Sequence, residues 1–112
     1  MEEKGIHLIL DLVECQNKKA LEKVEEVEKL MDVMVKGLGF HVVKKCFHQF
    51  EPFGATALYL LSESHFSIHT FYEEERINLD IYCCQPFDVE KAVEYCKTLF
   101  GSKIQTQRMF QR

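Results

Sequence analysis

The sequence predicts an α+β fold: a two-layer sandwich in which one antiparallel sheet has two helices packed on one face. Six segments alternate with a period of two and two follow the helical period, in the order strand, helix, four strands, helix, strand. The strand segments tend to pair an apolar side with a mixed side, the pattern of an antiparallel sheet covered on one face only. At 112 residues the chain can bury one modest core, so residues 1–112 are expected to form a single domain.

In the first strand, residues 5–14, Ile6, Leu8, Leu10 and Leu12 share one face while His7, Ile9, Asp11 and Val13 share the other. The period changes after Asn17, a good helix N-cap, and Ala20, Leu21, Val24, Val27, Leu30, Met31, Met34, Val35 and Leu38 then form one apolar stripe. Gly37 and Gly39 end this helix, and Glu22, Glu25, Glu26 and Glu28 form its solvated side. Residues 41–50 read as a second strand, Glu51-Pro52-Phe53-Gly54 as a turn, and residues 55–61 as a short central strand.

Residues 66–72 and 77–84 form a hairpin around a four-residue loop, 73–76. Its simplest register sets Tyr72 opposite Ile77, His69 opposite Asp80, Ser67 opposite Tyr82 and His65 opposite Cys84. Alternation turns Phe66, Ile68, Leu79, Ile81 and Cys83 toward the helices, and Ser67, His69, Phe71, Asn78, Asp80, Tyr82 and Cys84 to the other face. Cys83 should therefore be buried, with Cys84 near His65 and Ser64. Asp88 caps a second helix with Val89, Ala92, Val93, Cys96, Leu99 and Phe100 inward, Gly101 closes it, and residues 103–110 make an edge strand.

Composition narrows the functional classes. Hydrophobic residues make up 46% and charged residues 29%, the balance of an ordinary soluble chain. No apolar run could span a bilayer, and Met1-Glu2-Glu3-Lys4 lacks the basic and apolar regions of a secretory leader, so a cytoplasmic setting without membrane attachment is expected. Five scattered cysteines argue against a disulfide framework, and without a Cys-x-x-Cys pair no metal site is expected. The net charge of −4, with lysines interleaved among glutamates, disfavours a nucleic-acid partner.

The stretch Ser62-Glu63-Ser64-His65-Phe66-Ser67-Ile68-His69-Thr70 stands apart, with two histidines and three hydroxyls besides Ser62 crowded along one strand. One reading is a loop serine followed by the wet face of an antiparallel strand. The other is chemical: the Ser64 hydroxyl attacks the Glu63 carbonyl, the amide becomes an ester, and elimination leaves a pyruvoyl group on a new N-terminus. Such chemistry needs a constrained peptide and groups to move protons, for which His65, His69 and Ser67 are the local candidates.

The chain resembles the short prokaryotic, pyruvoyl-dependent S-adenosylmethionine decarboxylase family. The resemblance runs nearly end to end, through Gly5-Ile6-His7-Leu8, Glu14-Cys15, Phe47-His48-Gln49-Phe50, Pro52-Phe53-Gly54, the Ser62–Thr70 stretch and Asp80-Ile81-Tyr82-Cys83-Cys84. It implies self-cleavage between Glu63 and Ser64 into a β chain of residues 1–63 and an α chain of residues 64–112 that begins with pyruvoyl. His69 matches the histidine that assists processing, Cys84 the catalytic acid, and Thr56 stands where a serine supports processing. Phe50 matches an aromatic near the substrate sulfonium and adenine and Phe71 stands where a tryptophan is usual; aromatic faces can hold a cation without donors. Glu73 matches a glutamate near the substrate.

The family's fold implies homodimers of processed protomers with sites at their interface. Its activity implies decarboxylation through a Schiff base, feeding spermidine synthesis, with pyruvoyl as the self-made cofactor. Phe71-Tyr72-Glu73 replaces the family's Trp-Pro-Glu, and Gln85 replaces a glycine after the catalytic cysteine. These departures keep open a pyruvoyl decarboxylase acting on arginine or ornithine; a non-catalytic relative serving as a binding partner is the third reading. Phe50 and Phe71 as packing residues, Glu73 as a solvated loop residue and Cys84 as an inert thiol are the plain alternatives.

Overall fold

The structure, a computed structural model, describes residues 5–112. Met1–Lys4, on which the reading of a missing leader rests, lie outside the described residues. The sheet contains β1 (Ile6–Val13), β2 (Val42–Gln49), β3 (Ala55–Leu61), β4 (Ser64–Phe71), β5 (Arg76–Cys83) and β6 (Lys103–Gln111). Its order is β2-β3-β4-β5-β1-β6, and every neighbouring pair is antiparallel. Among the described residues no helix is long and apolar enough to cross a membrane.

The helices are α1 (Lys18–Glu22), α2 (Val24–Leu38) and α3 (Val89–Phe100). They cover the face presented by Leu8, Leu10, Leu12, Tyr59, Phe66, Ile68, Ile77 and Ile81, all essentially inaccessible to solvent. Against these pack Leu21, Val27, Met31, Met34, Ala92, Cys96 and Phe100. Burying each large side chain contributes about 1.5–3 kcal/mol, which makes this layer the main source of stability. The two-layer sandwich expected from alternation is the fold observed.

The first helix differs from expectation. Its apolar stripe is unbroken in sequence, yet Lys23 is extended (φ −122°, ψ 128°) and divides it into α1 and α2. The Gln49 side chain fills the break: its Oε1 accepts from Val24 N–H at 2.7 Å, and its Nε2 donates to the Glu22 and Gly54 carbonyls, each at 2.8 Å. Gly54 N–H also donates to the Glu22 carbonyl at 3.0 Å. A partner on β2 thus satisfies the backbone groups freed by the kink, a long-range cause that periodicity within the helix cannot register.

The hairpin register also differs, by two residues. Phe71 pairs with Arg76, His69 with Asn78, Ser67 with Asp80 and His65 with Tyr82. Tyr72–Glu74 form a 3-10 turn and Glu75 takes a left-handed conformation (φ 52°), so the loop closes one residue earlier on each side. A two-residue shift preserves facing, so the division into a helix-packed face and an open face stands. Cys83, expected in the core, is only half-buried at the fraying end of β5.

Replacing Gln49 with Ala would strand the Val24 N–H and leave the Glu22 carbonyl with the Gly54 N–H as its partner. The expected loss is about 1–3 kcal/mol in urea unfolding. A loss below about 0.5 kcal/mol, ordinary for an inert surface position, would show that water substitutes for the amide.

Candidate active site

Sequence-identified residues gather at two ends of the sheet. At one end β3 and β4 are joined by Ser62-Glu63, with Leu61 paired to Ser64 across the turn. Glu63 has φ 60°, a left-handed conformation that costs a residue bearing a Cβ on the order of 1–2 kcal/mol. The turn would suit glycine; glutamate is held there because Leu61 and Phe66, both buried, pin the strands on either side. Strain therefore sits at the residue whose carbonyl precedes Ser64.

Ser64 is 6% exposed, its side chain turned to the helix side with Phe66 and Ile68. Its Oγ accepts from the Cys84 N–H at 3.0 Å, while Cys84 Sγ donates to Glu63 Oε2 at 3.2 Å. One residue just past β5 thus holds both sides of the Glu63–Ser64 bond. The Glu63 carboxylate accepts from the thiol and raises its pKa, with desolvation adding to the effect. The contact favours the protonated thiol at Cys84, whereas at Cys15 and Cys96 burial in the core is the main cause, pushing them to about 11 and about 12. Ser64 also lines a small cavity of about 240 Å³ with Phe40, His41, Gln85 and Phe87.

The other end holds the remaining candidates. His69 Nδ1 and Thr56 Oγ1 lie 3.0 Å apart as a cross-strand pair, so threonine at this position supplies the expected hydroxyl. Phe50, Phe71 and Glu73 line one cavity of about 700 Å³ together with Pro52, Phe53 and Tyr72. His69 is five residues from Ser64, roughly 16 Å along an extended strand, and faces the opposite side of the sheet. A single chain therefore brings together Glu63, Ser64 and Cys84, and separately Thr56 and His69, but does not join the two groups.

Between the ends, on the open face, lies a cluster that sequence reasoning left out. Asp80 Oδ2 is 2.7 Å from His7 Nε2 and 3.2 Å from His65 Nε2, and Asp80 Oδ1 accepts from the Ser67 hydroxyl. Burial pushes the Asp80 carboxyl up, but the bonds from Ser67, His7 and His65 together outweigh it and hold the pKa below the usual value. Alternation placed Ser67 and Asp80 on one face, but only the pairing of β1 with β5 brings His7 to them.

The fold puts the chain in the class of two-layer α+β sandwiches. Comparison with known proteins narrows it to a family. The S-adenosylmethionine decarboxylase family model matches residues 6–112, and the chain belongs to that family. It is 38% identical over 98 residues to a protein of Clostridium botulinum named S-adenosylmethionine decarboxylase proenzyme, covering 87% of this chain and 84% of that one. A Persephonella marina protein of the same name is 36% identical over 109 residues, covering 96% and 81%. The crystal structure of the adenosylmethionine decarboxylase of Aquifex aeolicus superposes with a TM-score of 0.87 at 28% identity, covering 100% of this chain and 92% of that one.

The influence of Glu63 on Cys84 can be measured in a Ser64→Ala chain. Adding Glu63→Gln removes the carboxylate that raises the thiol pKa, so the pH midpoint of Cys84 alkylation, followed by peptide mass spectrometry, is expected to fall. At a fixed mildly alkaline pH alkylation should then be faster. An unchanged midpoint would show that the contact does not govern the thiol.

Proposed function

We infer that the chain cleaves itself between Glu63 and Ser64 and then decarboxylates S-adenosylmethionine, with a pyruvoyl group made from Ser64 as its cofactor. The carrying observation is the left-handed Glu63 beside a buried Ser64 Oγ, both bonded to Cys84. The Cys84 N–H orients the Ser64 hydroxyl, and release of the Glu63 conformation favours breaking that peptide. The residues present fit the group: Ser64 supplies its carbons, and Cys84 stands beside it as a proton donor. Once formed, the pyruvoyl supplies a conjugated carbonyl that accepts the electron pair freed when carbon dioxide leaves.

Cys84 then serves as the acid that protonates the α-carbon, a role suited to a thiol held in its protonated form. Phe50 and Phe71 offer aromatic faces to a sulfonium, and Glu73 at the mouth of the same cavity offers a carboxylate to the sugar or amine end of the substrate. The product class, a decarboxylated sulfonium carrying an aminopropyl group, fits a donor for spermidine synthesis. Five free thiols suit a reducing, cytoplasmic setting.

The separation of the two groups along β4 supports a homodimer of processed protomers. Leu58, Leu60 and Phe110 are 45%, 52% and 49% exposed, and β-sheet alternation puts them on the open face with His69 and Phe71. Pairing two such faces with strands running oppositely would bring the Ser62-Glu63 turn of one protomer over the end of its partner that holds Thr56, His69 and the aromatic cavity. His69, hydrogen-bonded to Thr56, would then assist cleavage in trans. Leu60→Lys is expected to leave the fold intact, halve the mass in light scattering and slow cleavage; a monomeric wild-type chain would defeat the dimer.

The deciding measurement is the intact mass of freshly purified, denatured protein beside a Ser64→Ala control. Two fragments dividing after Glu63, the second blocked by pyruvoyl, are expected, with a single chain in the control. Cys84→Ala is expected to lower turnover by about 10²–10⁴-fold. A substrate panel completes the test: carbon dioxide released from arginine or ornithine but not from S-adenosylmethionine would reassign the substrate. A single uncut chain after prolonged incubation would overturn the self-cleavage and leave a binding role.

A further inference from the structure

The geometry points to a divalent metal site formed by His7, His65 and Asp80 on the open face of the sheet. The three residues come from three neighbouring strands, β4, β5 and β1, and their ligand atoms lie within 4.8 Å of one another. The Asp80 Oδ2 separations of 2.7 and 3.2 Å to the two imidazole nitrogens are close to the roughly 3.3 Å between ligands of a tetrahedral ion with bonds near 2.05 Å. To admit the ion the His7–Asp80 contact would open by about 0.6 Å and the two imidazole nitrogens, which lie within 4.8 Å of each other, would settle to the same spacing.

The donor set selects the metal class. Two imidazoles and one carboxylate suit Zn²⁺, Co²⁺ or Ni²⁺ rather than Mg²⁺ or Ca²⁺, which prefer oxygen. Ser67 occupies Asp80 Oδ1 and so directs Oδ2 toward the histidines, the outer bond that orients a ligating carboxylate. His7 and Asp80 are 20% and 26% exposed at the side chain and His65 49%, so in a single protomer the cluster is reachable from solvent, and in the proposed dimer, which covers this face, it would lie between the two sheets.

The placement gives the ion a consequence that rests on the cleavage proposed above. His7 lies in the segment before Glu63, whereas His65 and Asp80 lie after it, and His65 is the residue next to Ser64. A metal here would tie the two chains together one residue from the new N-terminus. Its occupancy should govern how firmly that terminus is held.

Zinc titration against a chromophoric chelator, with cobalt as the spectroscopic probe, tests the site in the uncut Ser64→Ala chain, where binding is independent of cleavage. One ion per chain is expected, with visible cobalt d–d bands and no thiolate charge-transfer band. Affinity should fall by roughly 10–100-fold or more in His7→Gln, Asp80→Asn and the half-exposed His65→Gln, and stay unchanged in Cys84→Ala and Cys46→Ala. In the cleaved wild-type protein, zinc should raise the denaturant midpoint and a chelator reverse it, whereas His7→Gln should show no shift. Absence of binding, equal binding in all three ligand variants, or a thiolate band abolished by Cys84→Ala would overturn the site. A wild-type chain that stays uncut while its Ser64→Ala form binds zinc would refute the cleavage alone.

Discussion

The buried layer between the helices and the sheet sets the geometry of the tight turn at Ser62-Glu63. Leu61 and Tyr59 on β3 and Phe66 and Ile68 on β4 are buried under the helices, so neither strand can slide without exposing a row of large apolar side chains. The connection must absorb whatever geometry that register imposes, and it does so by holding Glu63 left-handed. Core packing, worth many kcal/mol, thereby holds a local conformation unfavourable by one or two. The reactive candidate Ser64 is the first residue beyond it.

The same sheet separates two tasks by face. Its covered side supplies stability, and the two-residue correction of the β4–β5 register leaves that side unaltered because alternation repeats every second residue. Its open side carries hydroxyls, imidazoles and carboxylates whose partners all come from neighbouring strands: Thr56 with His69, Ser67 with Asp80, and Asp80 with both His7 and His65. These four contacts tie their side chains to one another across the strands, which fixes their directions before any ligand or second protomer arrives. Cys84, just past the end of β5, belongs to neither face and reaches back to the turn.

Legibility in the sequence followed the range of the interaction. The strands, both helical regions, the caps at Asn17 and Asp88 and the choice of Cys84 over Cys83 as the cysteine beside Ser64 were readable, because period and capping are local. The break at Lys23 was not, since Gln49 fills it from 26 positions further along. Nor was the hairpin register, because Glu73, Glu74, Glu75 and Arg76 carry no glycine or asparagine to announce where the left-handed residue falls.

By itself the sequence determined which residue types were available and which side of each strand they would take, since side-chain direction in a strand depends only on position. It thereby placed Ser67, His69 and Asp80 on one face, expected Cys84 there as well, and suggested chemistry at Ser64. Tertiary structure alone decided that Glu63 is strained, that His7 joins His65 on Asp80, and that Cys84 reaches both Glu63 and Ser64. Those outcomes arise from strand order and register, which are set by burying the whole apolar face at once and by no stretch of chain in isolation.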